Sequence, residues 1–242
     1  MKPVKPIKLE EFLASQTAYS RRKILDLLNA GEVSVNGVPV TSLSHPVQPK
    51  TDQIKVGTVK IEHEIPYMYY KFNKPKDVIC TLHDPKGRRD LMEFLRPFPQ
   101  SLTPVGRLDR QTKGLLLFTN DGEFANRLMH PRYGVSKLYT VTLDQAPTAR
   151  HLERLTEGMM LEDGPIRFSS IEIVDNKILK VSLKEGRNRI VRRTFDHLGY
   201  TVEKLKRIAI GPILLGKLAE GDMQPLSSGE LRTLKTQLGL TK

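Results

Sequence analysis

The segment GRLDRQTKGLLLFTNDG, residues 106–122, concentrates side chains that could do chemistry. Asp109 stands between Arg107 and Arg110, just ahead of the apolar run Leu115–Phe118. An acid at the foot of a buried strand is held on a rigid element near the surface, and Gly106 supplies backbone freedom before the charged loop. By residue type alone such an aspartate reads as a turn or capping residue, so any reactive role rests on what else the chain carries. Asn120-Asp121-Gly122 predicts a turn after the strand. Tyr139, in SKLYTV, reads on its own as a core residue of a strand.

Two basic stretches call for an anionic partner. From Lys184 to Arg207 there are eight Lys or Arg against three Asp or Glu. On a helix beginning near Asn188, Arg189, Arg192 and Arg193 share a face at i, i+3 and i+4, where like charges destabilise the isolated helix. Some anion must compensate them. Arg21, Arg22 and Lys23 open another predicted helix, at the end where cations oppose the macrodipole, and a partner's phosphates explain that placement better than local electrostatics does.

Composition agrees. The 242 residues carry a formal net charge of +12, which favours a polyanion over a small metabolite. Residues 1–64 hold nine Lys or Arg against seven Asp or Glu, so most of the excess lies further along the chain. Apolar runs are broken within a few positions by Lys, Gly, Pro or Asn, far short of the roughly 20 residues that a membrane helix needs. MKPVKPIKLEEF is basic but has no apolar core of a secretory signal. A single cysteine, Cys80, permits neither an internal disulfide nor a Cys-rich zinc site, and a reducing cytoplasmic compartment is expected. The six histidines show no ligand spacing and no phosphate-binding glycine loop is present, so neither metal nor cofactor is expected.

These residues must be positioned by two units. In the first, Leu9, Phe12 and Leu13 mark one helix, and Ile24, Leu25, Leu27 and Leu28 a second, with Ser20 as N-cap and Gly31 just past the end. Val33 and Val35, then Val38 and Val40, flank Asn36-Gly37, the dipeptide of a tight primed hairpin turn. A linker falls at Glu62–Pro66, which divides the chain into domains 1–62 and 63–242. Beyond it, LLLFT, KLYTVTL, SSIEIV and ILKVSL alternate with short helices. The pattern is that of an α+β domain with a mixed, mostly antiparallel sheet flanked by helices and loops.

The helix, basic turn, helix and hairpin of about residues 7–55 resemble the αL RNA-binding module named after small-subunit ribosomal protein S-four. The longer chain resembles the RsuA-like pseudouridine synthases: GRLD, Thr112 and GLLLFTNDG match their signature, Asn73-Lys74-Pro75 with Thr81 their first motif, and EGRNRIVRRTFDHLG, residues 185–199, their last. The resemblance implies isomerisation of a uridine in ribosomal RNA without a cofactor. Asp109 is then the nucleophile, Arg192 its basic partner and Tyr139 the residue against the target base. Arg107 would fill the space left by the flipped nucleotide or bind phosphate, and Lys74, Arg187, Arg189 and Arg193 would contact RNA together with Arg21, Arg22 and Lys23. The anions compensating the arginine face would be Asp109 and RNA phosphates. CTLHDPKGR, MHP, LEDGP and EGRNR lean towards the branch acting on large-subunit RNA, either naked or in an assembly intermediate, and a monomer is implied. The competing reading is a non-catalytic RNA-binding or ribosome-assembly protein on the same scaffold.

Two departures from the family pattern stand out. Lys76-Asp77 occupies a turn where the first motif usually has glycine, and Ile190 stands where the last motif often has glutamine. The first bears on turn geometry, the second on a polar contact near the base.

Overall fold

A computed structural model of the chain describes residues 6–17, 19–62, 66–82, 84–98 and 102–240. Helices α1 (Leu9–Gln16) and α2 (Arg21–Asn29) bury Leu9, Phe12, Leu13, Ile24, Leu27 and Leu28 in one small core. The side chain of Ser20 accepts from the Lys23 amide at 3.2 Å and so caps α2, and Gly31 follows with φ 70°. Leu25 does not join this core; one position from Ile24 on a helix, it turns outward and is 40% exposed. Strands β1 (Val33–Val35) and β2 (Val38–Pro39) form the hairpin, with Asn36 and Gly37 both at positive φ. The sheet continues through β3 (Ile54–Val56) and β4 (Val59–Ile61). Of the linker, His63, Glu64 and Ile65 lie outside the described residues.

The larger unit is built on one nine-stranded sheet. Its strands are β5 (Tyr69–Lys74), β6 (Thr103–Val105), β7 (Lys113–Thr119), β8 (Lys137–Leu143), β9 (Ser170–Asp175), β10 (Ile178–Leu183), β11 (Val202–Ile210), β12 (Ile213–Leu214) and β13 (Met223–Pro225). The order is β9-β10-β8-β11-β7-β5-β13, with β12 beside β11 and β6 beside β7. Every pairing is antiparallel except that of β7 with β11, where Lys113 faces Lys206 and Gly114 faces Arg207. Gly114 is required there: at φ 104°, an added Cβ would lie 2.2 Å from the Arg207 carbonyl oxygen.

Helix α3 (Gly122–Met129) follows β7 directly. What reads as an Asn-Asp-Gly turn is its cap, because Asp121 accepts from the Phe124 amide at 3.0 Å and from the Tyr69 hydroxyl at 2.5 Å. Asn120 ties the two units together, accepting from the Met68 amide and donating to the carbonyls of Pro66 and Ser15. Helices α4 (Ala149–Glu157), α5 (Ile190–His197) and α6 (Ser228–Gln237) complete the layers. Among the described residues no helix is long and apolar enough to cross a membrane.

Candidate active site

Residues 106–112 join β6 to β7, which pair from Val105–Leu117 to Thr103–Thr119. The loop is therefore anchored at its root, and its own backbone is pinned on three further sides. The amide of Asp77 donates to the Arg110 carbonyl at 2.8 Å, and Gln111 and Arg110 both reach the Asp77 carboxylate. The Leu108 amide donates to Cys80 Sγ at 3.3 Å. From the opposite side Arg192 donates to the Gln111 carbonyl at 3.3 Å. Asp77 has φ 64°, so it adopts the left-handed conformation that the family's glycine would supply, and the departure in the first motif keeps the turn.

Asp109 is half-buried, and its carboxylate has no hydrogen-bond or ion-pair partner among the described residues. It lines a cavity of about 690 Å³ together with Tyr139, Arg107, Arg110, Thr112 and Arg189. Tyr139 is buried in β8, and Ile190 and Val191 bring the start of α5 to the same cavity. Arg107, Arg110 and Arg189 are exposed, so the mouth is cationic. Thr112 Oγ1 is buried in the wall without a hydrogen-bond partner.

Arg192 is brought close to Asp109 but does not grip it. Its guanidinium donates to the Val202 carbonyl at 2.7 Å and to that of Gln111, and Nε is buried unpaired. Burial, then the charge of Arg189, push its pKa down, and the Asp109 carboxylate opposes both. Arg192 thus reaches the Asp109 loop through the Gln111 backbone, with the Asp109 carboxylate acting on it by charge alone.

Three of the residues expected to contact RNA are engaged within the protein. Lys74 is fully buried, and its ammonium donates to the carbonyl of Pro75 at 2.7 Å and towards that of Arg110. It braces the Asp109 loop. Burial lowers its pKa from 10.5 to about 8, against the attraction of Cys80, Asp77 and Asp109. Arg187 is saturated: it bonds Glu185, the Asp163 carboxylate and the carbonyls of Asp163, Gly164 and Pro165. Arg193 bonds Asp163 at 2.7 Å and the Asn188 carbonyl. Asp163 pairs with both of these arginines, and Glu185 pairs with Arg187 as well. The hydrogen bond from Arg193, reinforced by both guanidinium charges, holds the Asp163 carboxyl below its ordinary value. Helix α5 starts at Ile190, with Arg189 ahead of it at φ 47°, so Arg189, Arg192 and Arg193 diverge.

Arg22 and Lys23 stand exposed at the start of α2, and Arg21, also exposed, reaches Glu10 at 3.2 Å. Two cations in the cavity escaped the sequence reading, Lys137 on β8 and Arg207 on β11. A signal existed: Arg207 falls between Leu205 and Ala209 in the inward phase of its strand, and Lys137 shares the phase of Tyr139, Val141 and Leu143.

The family model described as RNA pseudouridylate synthase matches residues 68–197, and the S4 domain model matches residues 8–54. A Bacillus subtilis protein named ribosomal large subunit pseudouridine synthase B is 40% identical over 94% of this chain and 95% of its own length. An Aquifex aeolicus RNA pseudouridine synthase is 39% identical over 97% of this chain and 96% of its own. A crystal structure of a pseudouridylate synthase superposes with a TM-score of 0.68 at 29% identity, covering 94% of this chain and 99% of that one. A catalytic-family match over more than half of the sequence, and relatives aligned along nearly all of it, make this chain a member of the RNA pseudouridylate synthase family.

Proposed function

We propose that this enzyme converts a uridine of large-subunit ribosomal RNA to pseudouridine, with Asp109 as the nucleophile and no cofactor. The observation that carries the reading is the unpaired Asp109 carboxylate, presented by a loop tied on every other side into a cavity that Tyr139 walls. In the reaction the bond from C1′ to N1 breaks, the uracil turns, and C5 bonds to C1′. The C5 proton is lost and N1 regains one, so no oxidant or co-substrate is needed. A carboxylate can serve such a displacement as it does in glycosidases. Access requires the uridine to leave its stack, at a few kcal/mol. Arg107 and Arg189, exposed at the mouth, are the residues to meet the backbone it leaves behind. The large-subunit assignment is supported by relatives from Bacillus subtilis, Vibrio cholerae and Pseudomonas aeruginosa that are named ribosomal large subunit pseudouridine synthase B.

Residues 1–62 would act as an RNA-binding domain, with Arg21, Arg22 and Lys23 on phosphates, and residues 63–242 as the catalytic domain, in a cytoplasmic monomer. The test is release of tritium from ribosomal RNA labelled at C5 of uridine. Wild type should release it and Asp109→Asn should not, while both bind RNA equally. Equal release by both variants would remove Asp109 from the reaction, and absence of release from wild type would favour an RNA-binding role alone. Mapping pseudouridine in the RNA of a deletion strain identifies the subunit.

A further inference from the structure

Strands β8 and β11 lie side by side, and Arg207 is directly opposite Tyr139 in their register. Lys137 precedes Tyr139 by two positions on the same face, and all three line the cavity that holds Asp109. Arg207 is only 4% exposed. Its Nε donates to the Leu115 carbonyl at 2.7 Å, whereas Nη2 is buried without a hydrogen-bond partner among the described residues. Among the described residues Lys137 has no closer acceptor than the Val135 carbonyl at 3.5 Å. Glu185, the acid near Lys137, is engaged by Arg187 at 2.5 Å. Burial, then the charge of Arg207, push the Lys137 pKa down while Glu185 opposes them. Two largely buried cations thus adjoin one another, and among the described residues neither is held in an ion pair, an arrangement that costs folding free energy and that an anionic ligand would offset.

That charge arises in the reaction read above. When the bond from C1′ to N1 breaks, its electron pair leaves with the base, and the detached uracil carries a negative charge shared by O2 and O4. Phosphates of the RNA are less suited to this position, because the exposed Arg107 and Arg189 already serve the mouth and Arg207 lies beneath it, within the sheet. We propose that Arg207, with Lys137 beside it, is a further catalytic residue that stabilises the uracil anion, Nη2 donating to a carbonyl oxygen of the detached base. The charge is held while the base turns, and it is discharged when C5 bonds to C1′, the C5 proton leaves and N1 is protonated. The inference rests on this cavity being the reaction site, and it holds whether Asp109 attacks C1′ or promotes elimination.

The test measures single-turnover pseudouridine formation at saturating ribosomal RNA, alongside RNA affinity over a salt series, for Arg207→Gln, Arg207→Lys, Lys137→Gln and Asp109→Asn. Arg207→Gln should slow the reaction by about 100-fold or more, the scale of losing one preorganised oxyanion donor. Affinity should stay within about twofold and its salt slope should not change, because no phosphate contact is lost. Arg207→Lys should recover part of the rate, and Lys137→Gln should lower it about tenfold by weakening the same field. A weaker affinity with a shallower salt slope and an unchanged saturated rate would make Arg207 a phosphate contact and overturn the proposal. An unchanged rate and affinity would overturn it too. Should Arg207→Gln fail to fold, Lys137→Gln decides: a wild-type rate from that variant defeats the proposal. An inactive Asp109→Asn beside a fully active Arg207→Gln would defeat this inference alone, and an active Asp109→Asn would defeat the assigned nucleophile alone.

Discussion

Asp109 and Arg187 line the same cavity, and their surroundings treat them in opposite ways. Around Asp109 the neighbours are tied down: Leu108 to Cys80, Arg110 and Gln111 to Asp77, and the Gln111 carbonyl to Arg192, leaving the carboxylate free. At Arg187 the donors are consumed by Asp163, Glu185 and two further carbonyls. The difference separates scaffold from reagent more reliably than charge or cavity position does. A group whose hydrogen-bonding capacity is spent holds the fold, and one whose loop is rigid but whose own atoms are unspent is available for chemistry.

Four measurements break or sharpen this contrast. The largest effect is expected at Asp109: Asp109→Asn should reduce pseudouridine formation at least about 1,000-fold, while its denaturation midpoint corresponds to a change within about 0.5 kcal/mol, since no partner is lost. A destabilised but partly active variant would invert the comparison. Lys74 comes next, and here pH is the probe. Its folded pKa of about 8 lies below the ordinary 10.5. Between these values the unfolded chain binds more protons than the folded one, so stability rises with pH across that window and the penalty is fully present below pH 8. Wild type should gain up to about 3 kcal/mol relative to Lys74→Met between pH 8 and 10.5. Parallel curves would mean that the ammonium is solvated.

Arg187→Met should lose about 2 kcal/mol of stability in urea unfolding, through its hydrogen bonds to carbonyl oxygens. The salt dependence of RNA binding should stay as in wild type; a shallower slope would return Arg187 to the RNA interface. The smallest effect is expected at the far end of the molecule, where Arg22 is exposed at the helix start. Arg22→Gln should reduce the slope of log affinity against log salt by about 1 and leave folding within about 0.5 kcal/mol. An unchanged slope would remove it from the phosphate contacts.

Much of the scaffold can be read from local pattern. Apolar spacing, the Ser20 cap and the Asn36-Gly37 turn each act within a few residues, and the structure has all three. The Asp109 loop is legible for a different reason, since its residues are contiguous and its flanking strands pair with each other. What escaped depends on partners far along the chain. Asp163 claims Arg187 and Arg193 from outside their segment, and the Pro75 and Arg110 carbonyls claim Lys74 from beneath the loop. Leu25 is as apolar as its neighbours, but its helical phase points outward and its type alone does not reveal that. Lys137 and Arg207 have the strand phase of buried residues, a signal that their charge masks when residue type alone is considered.

The pairing of Gly114 with Arg207 has a consequence for when activity can appear. These positions are roughly ninety residues apart in sequence, and their contact is the seam along which β7 meets β11. Contacts of such separation carry a large loop-closure entropy and form late. A chain emerging from the ribosome can complete its first sixty residues as an RNA-gripping unit long before Ile210 has been translated, yet the wall of the Asp109 cavity is still missing. Recognition should therefore precede competence during biosynthesis, and a stalled nascent chain would hold RNA without modifying it.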